Sequence, residues 1–157
     1  VTSRRRIYLA SPLGFSVENK DYLERIKKRL RALRLLVWDP WEQDWTIGFE
    51  AVKSEKNADR KDLAAVGLAG HIGEANARAI RESAMVFGVC DGPQVDDGTA
   101  SEMGYGAGRG LKVYGLRTDF RNVGDLSNLP VNLQVFHFVH GSGGKLFRSI
   151  PEIAITP

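Results

Sequence analysis

The chain has 157 residues, 43% of them hydrophobic and 26% charged, a balance that supports one domain over residues 1–157 with a proper core. The short run IYLA after SRRR lacks the apolar length of a secretory leader, and no stretch approaches the roughly 20 apolar residues of a membrane span, so a cytoplasmic protein with no membrane partner is expected. The net charge of +3, with basic residues gathered at Arg4 to Arg6 and in ERIKKRLRALR, and the single cysteine, Cys90, point to neither a nucleic-acid partner nor a disulfide or cysteine–metal framework.

Arg6 to Ser11 (RIYLAS) is a short β-rich run stopped by Pro12 and Gly14. A long amphipathic helix is expected from about Glu18 to Arg34, with Leu23, Ile26, Leu30 and Leu33 at helical spacing and the Lys and Arg residues between them on the outward face. LLVWDP (Leu35 to Pro40) reads as a second buried strand, closed where the residue before a proline is pushed to extended geometry. Trp41 to Gly70 has weak periodicity, a charged middle and three clustered aromatics, Trp41, Trp45 and Phe49. So long a loop is expected to be functional, as a mobile lid over a pocket.

Ile72 to Ala84 looks helical and runs into MVFGVCD (Met85 to Asp91), a continuous apolar strand of the kind covered on both faces. The turn-rich loop DGPQVDDG, a helix over TASEMGYGAGRG and a fourth strand, KVYGLRT (Lys112 to Thr118), follow. A fifth strand is expected around Gln134 to Val139, with GSGG after it as a flexible joint. The βαβα alternation, without an internal repeat, predicts a three-layer doubly wound α/β domain with a parallel sheet of about five strands.

In such a sheet ligands bind beyond the carboxyl ends of the strands, which directs attention to SPLGF, DPWEQ, DGPQVDDGTASE and RTDFRN. The third of these loops carries Asp91, Asp96 and Asp97, and Glu102 lies in the helix that follows. Pro93 and Val95 interrupt the alternating acids of a calcium loop, so no metal is expected. Asp97 reads as turn-forming. Thr99 to Glu102 has the spacing of a capping box, in which Glu102 ties down backbone N–H groups; the alternative is a nucleophilic carboxylate held at the mouth of the sheet. Gly104, Gly106, Gly108 and Gly110 each weaken that helix by about 1 kcal/mol relative to alanine, which suits a close approach by a strand, a subunit or a ligand. Neither phosphate-loop pattern, Gly-x-x-x-x-Gly-Lys-Ser/Thr nor Gly-x-Gly-x-x-Gly after the first strand, is present. Ser83 and Ser101 have no neighbouring His to activate them, and His71, His137 and His140 share no helical face. An acidic pocket without a metal suits glycosyl chemistry, where one carboxylate attacks the anomeric carbon.

Asp96-Asp97-Gly98-Thr99-Ala100-Ser101-Glu102-Met103-Gly104-Tyr105 resembles the Asp-x-Gly-Thr/Ser-Ala-x-Glu-x-Gly signature of the nucleoside 2-deoxyribosyltransferases. IYLASP resembles their first strand and NLPVNLQ their late Pro-x-Asn-Leu element. The resemblance implies a flavodoxin-like domain that exchanges the base of deoxyribonucleosides for a free nucleobase, in nucleotide salvage and without a cofactor. It makes Glu102 the nucleophile that forms a covalent 2-deoxyribosyl intermediate, Asp96 the acid that helps protonate the leaving base, and Tyr8 the hydroxyl that orients the nucleophile. Phe15, Gln43, Asn76, Asp91 and Gly98 are the implied substrate contacts, Asn76 standing where several relatives carry Asp. Asn132, with Gln134 after it, is implied to reach into a neighbouring subunit's site to bind the sugar 5′-hydroxyl, so a homo-oligomer is expected. The forms IYLASP and DDGTA lean toward purine-type members.

Two other functions compete. A 2′-deoxynucleoside 5′-phosphate N-hydrolase shares the fold and the Glu, but its phosphate-binding loop with Gly, Ser and Arg is replaced here by SPLGFSVEN. A non-catalytic nucleotide-binding module is the alternative of another class.

Overall fold

In this computed structural model, which describes residues 5–156, five short strands line up in parallel. Arg4 of the basic cluster lies outside the described residues. The strands are β1 (Arg6–Ala10), β2 (Leu36–Trp38), β3 (Met85–Val89), β4 (Lys112–Leu116) and β5 (Leu146–Phe147), in the order β2-β1-β3-β4-β5. The order reverses at β1, and a sheet of this kind opens a crevice at the carboxyl ends of its strands beside that reversal. Tyr8 stands in the middle of β1, in register with Trp38 on one side and Val86 on the other.

The two-residue period of β1 sorts its side chains to opposite faces. Ile7 and Leu9 join Phe87, Val89 and Leu116 under helix α1 (Lys20–Ala32), which contributes Leu23, Ile26 and Leu30, and under the C-terminal segment with Ile153 and Ile155. Tyr8 and Ala10 join Val86, Cys90 and Val113 on the other face, covered by α3 (Ala58–Arg81), α4 (Asp97–Gly108) and α5 (Leu133–Gly141). The three-layer flavodoxin-like architecture expected from the alternation is therefore present. No helix among the described residues is long and apolar enough to cross a membrane.

Several elements differ from expectation. Gln134 to Val139 is not a strand but the body of α5. Val135 and Val139, four apart, are the residues it buries, and Asn132 caps its start by accepting from the Gln134 N–H at 2.8 Å. The fifth strand is instead Leu146–Phe147, so GSGG is the tight connection between α5 and β5. The long region Trp41 to Gly70 is largely helical: α2 (Thr46–Ser54) is followed by α3, whose first residues Asn57 caps through Arg60 N–H at 3.0 Å. Periodicity was weak there because little is buried; α2 buries no residue and α3 only Ala79 and Ile80, near its end.

The capping box is overturned as well. The cap of α4 is Asp96, whose Oδ2 accepts from the Thr99 N–H at 2.9 Å and the Thr99 hydroxyl at 3.1 Å, so Asp97 is the first helical residue and Glu102 is released from any capping duty. Two of the glycines of α4, Gly104 and Gly106, serve packing within the chain, whereas Gly108 has no neighbour within 4 Å of where its Cβ would stand. A Cβ on Gly106 would come within 2.5 Å of Val86 Cγ2, and one on Gly104 within 3.0 Å of Phe138. Close seating of α4 on β3 and α5 requires the small residues.

Candidate active site

Three elements converge on Glu102. It sits in the second turn of α4, opposite the middle of β1 and beside the inner end of α3. Its Oε1 accepts from the Tyr8 hydroxyl at 2.5 Å and from Asn76 Nδ2 at 3.2 Å. Both donors take the same oxygen, and Oε2 has no hydrogen-bond partner among the described residues. Tyr8 is fully buried and stacks on Trp38, with ring centroids 5.1 Å apart, so its hydroxyl cannot swing away from the carboxylate.

Burial is the main influence on Glu102 and pushes its pKa up to about 7. The nearby charge of Asp96 adds to the rise, while the bonds from Tyr8 and Asn76 oppose it by favouring the ionised form. The Tyr8 phenol is driven well above its ordinary range, by burial first and then by the charge and hydrogen bond of Glu102. Tyr8 is therefore a hydrogen-bond donor throughout the physiological range and never a base.

Glu102 lines a cleft of about 650 Å³, a size typical of small-molecule sites. Asn76, Asp96, Gly98 and Thr99 line it as well, and so do four aromatics, Phe15, Trp41, Trp45 and Phe49, with Pro40 and Ile72. Among the described residues lining the cleft there is no Lys or Arg, whereas Glu50, Asp96 and Glu102 are acidic.

The aromatic wall hangs on a buried ion pair. Lys27 lies among the basic residues assigned to the outward face of α1, yet it is 3% exposed, its ammonium 3.0 Å from Asp39, 2.9 Å from Glu42 and 2.6 Å from Glu24. Burial alone would lower its pKa; the three carboxylates outweigh burial and hold it above the ordinary lysine range. Asp39 in turn accepts the Trp41 N–H at 3.0 Å, and the Trp41 indole donates to the Ser11 carbonyl at 2.8 Å. The indole lies flat over Gly14, where a Cβ would collide with its ring, and Phe15 meets it edge-on at 4.5 Å.

Most of the residues expected at the site are brought together. Phe15, Gln43, Asn76, Asp96, Gly98 and Glu102 all line the cleft, with Tyr8 directly beneath Glu102. Asp91 is not among the lining residues. Its Oδ1 accepts from the Thr118 N–H at 2.5 Å and the Asp119 N–H at 2.9 Å, and its Oδ2 accepts from the Tyr22 hydroxyl at 2.7 Å, so the carboxylate is spent on tying two loops together. Asn132 and Gln134 also stand outside this chain's cleft, at the start of α5, where Asn132 Nδ2 donates to Asp125 at 2.9 Å. Trp45, Phe49, Thr46 and Glu50 were not singled out as contacts; the clustering of Trp41, Trp45 and Phe49 in a polar stretch was the available signal.

A parallel sheet in this order, with a half-buried carboxylate held by a first-strand tyrosine beside a cleft, defines a flavodoxin-like α/β protein. The chain belongs to the nucleoside 2-deoxyribosyltransferase family, whose model matches residues 7–134. Among solved structures it is similar to a conserved protein from Enterococcus faecalis, at 21% identity over 96% of this chain and 94% of that one, with a TM-score of 0.68. It is also similar to the 2-deoxyribosyltransferase of Leishmania mexicana, at 20% identity, 92% and 91% coverage and a TM-score of 0.60. The CMP N-glycosidase of Clostridium botulinum aligns at 14% identity, 94% coverage of each chain and a TM-score of 0.54. At such identities the likeness is one of fold. No curated protein matches the chain.

Proposed function

We propose that the protein is a nucleoside 2-deoxyribosyltransferase that exchanges the nucleobase of 2′-deoxyribonucleosides. The observation that carries this reading is the convergence of Tyr8 and Asn76 on one oxygen of Glu102 in a cleft lined by aromatics. The carboxylate is oriented with its second oxygen free to attack. Glu102 Oε2 bonds to C1′ as the C1′–N bond breaks, the electron pair stays on the base nitrogen, and a proton from Asp96 neutralises the departing base. A second base then attacks C1′, displaces the carboxylate and returns the proton, so two inversions give net retention and ping-pong kinetics. Asp96 has one oxygen committed to capping and the other without a hydrogen-bond partner among the described residues; proton delivery of this kind contributes roughly 10²–10⁴-fold. The four aromatics offer stacking surfaces for the base, consistent with a purine.

The absence of Lys and Arg from the described cleft lining supports an uncharged nucleoside over a 5′-phosphorylated one. A 2′-hydroxyl withdraws electrons from the developing oxocarbenium ion, so deoxyribose is the favoured sugar. Asn132, outside this chain's cleft, completes the sugar site of a neighbouring copy in a homo-oligomer.

The test mixes deoxyadenosine or deoxyinosine with a second base and follows nucleosides by chromatography. Exchanged nucleoside, lost in Glu102→Ala with the fold intact, is the expected result. Free base without exchange would make the protein an N-hydrolase, and tight nucleoside binding with neither product would make it a binding module. Equal rates on ribonucleosides would overturn the preference for deoxyribose.

A further inference from the structure

Arg117 immediately follows β4, and Asp91 lies two residues beyond the end of β3, at the level where Val89 and Leu116 pair. Arg117 is completely buried. Its guanidinium donates to the carbonyls of Cys90 at 2.5 Å, Gly92 at 3.0 Å and Arg121 at 3.0 Å, while the carboxylate of Asp119 is 4.0 Å away. A buried cation held mainly by backbone carbonyls is a costly choice, and an apolar side chain of similar volume commonly stabilises a fold as well or better. Stability alone is therefore a weak reason for the arginine.

Asp91 makes the opposite connection. From the loop after β3 it takes the Thr118 N–H and hydroxyl and the Asp119 N–H, all after β4, together with the Tyr22 hydroxyl from α1. Each side chain thus bonds the loop that follows the other's strand. The segment they hold leads straight to the chemistry: Val95 is buried in the same cluster as Tyr8 and Met103, and Asp96 caps the helix that bears Glu102. Neither Arg117 nor Asp91 is among the residues lining the cleft.

We infer that Arg117 and Asp91 are positioning residues, a reciprocal brace between the two loops that sets the place of Asp96 and the first turns of α4 relative to the substrate. The activity arm of its test rests on the proposed exchange reaction; the titration arm does not. In Arg117→Met, which removes every donor while keeping the bulk, kcat per folded molecule is expected to fall by about 10²-fold, the scale of a misplacement of about 1 Å, with KM little changed. The titration of the Glu102 carboxyl, followed by carbon NMR, is expected to move in the same variant, because its burial and its distance from Asp96 change together. Arg117→Lys, whose single ammonium replaces the two-pronged guanidinium, is expected to fall between wild type and Arg117→Met. Adding Asp91→Asn to Arg117→Met is expected to cost much less than the two separate losses combined, since both act on one loop.

An unchanged kcat and an unmoved Glu102 titration in Arg117→Met and Arg117→Lys, with only Tm altered, would overturn the inference and leave the pair as a structural strut. Were Arg117→Met not to fold, Arg117→Lys would give the same comparison. If wild type neither exchanges nor hydrolyses, the functional reading fails, whereas the Glu102 titration still decides the brace.

Discussion

The Tyr8 hydroxyl, in the middle of β1, donates at 2.5 Å to Glu102 Oε1 across 94 positions of sequence. The bond does two things to the carboxylate. It fixes the direction of Oε2, and it offsets part of the desolvation that raises the Glu102 pKa to about 7. In the proposed reaction attack requires the ionised form, so the Tyr8 bond would bear both on the orientation of Glu102 and, against the larger effect of burial, on the pH at which its carboxylate exists.

The kcat/KM for base exchange is accordingly expected to rise through pH of about 7 as Glu102 loses its proton, and then to level off. An initial-rate profile from acid to mildly alkaline pH checks this. A profile already flat well below neutrality would show that Glu102 ionises in the ordinary carboxylate range.

Removing a donor should move that limb upward. Tyr8→Phe deletes a hydrogen bond to a charged group, worth about 1.5–3 kcal/mol, and a kcat loss of about 10–10²-fold is expected. Its acid limb is expected at higher pH, since the lost bond favoured the carboxylate. Asn76→Asp replaces a donor with a second acid beside Glu102 and should raise the limb further. Matched pH profiles of the two variants decide the ordering.

The raised pKa carries a stability cost with a definite sign. Between the unfolded carboxyl's titration near about 4.3 and the folded value of about 7, the folded protein retains a proton that the unfolded chain has released, so stability falls as pH rises through that window. Glu102→Gln removes the cost, on the order of 3–4 kcal/mol at most, and keeps an acceptor for Tyr8. It is expected to melt several degrees above wild type at pH above 7, with the gap closing toward acid. Thermal melts at two pH values test it.

Lys27→Met leaves the buried Asp39 without its cation, a loss of about 3–5 kcal/mol that lowers Tm on the order of 10 °C. Asp39 anchors Trp41, so KM for the base is expected to rise more than kcat falls. A drop in Tm with an unchanged KM would detach Lys27 from the aromatic wall.

The proposed sharing of sites makes a prediction that a monomer cannot meet. Asn132→Ala and Glu102→Ala are each expected to be impaired, and co-refolding the two should restore part of the activity, because a mixed assembly contains sites with both residues. No recovery in verified mixed oligomers would confine the site to one chain.

Local chemistry in the sequence was sufficient for the alternating α/β frame, the amphipathic α1 with Leu23, Ile26 and Leu30 inward, and an acidic, cation-poor loop at the strand ends. These depend on periodicity and on neighbours within a few residues. VFHFV, in contrast, is as well suited to a strand as to a helix, and the assignment to α5 follows from Asn132 at its cap and from Val135 and Val139 packing together against the sheet. Asp91 and Lys27 looked like a pocket acid and a solvated base; partners 27 positions and 12 positions along the chain, Thr118 and Asp39, made them internal ties instead.

Glu102 shows the division most clearly. Thr99 and Glu102 have the spacing of a cap in any conformation of the chain, and spacing alone carries no information about a hydroxyl from residue 8 or an amide from residue 76. Folding β1, α3 and α4 around one point supplies those donors, half-buries the carboxylate and leaves Asp96 to cap the helix. The chemical type of the group is written locally, but its orientation and protonation are properties of long-range packing.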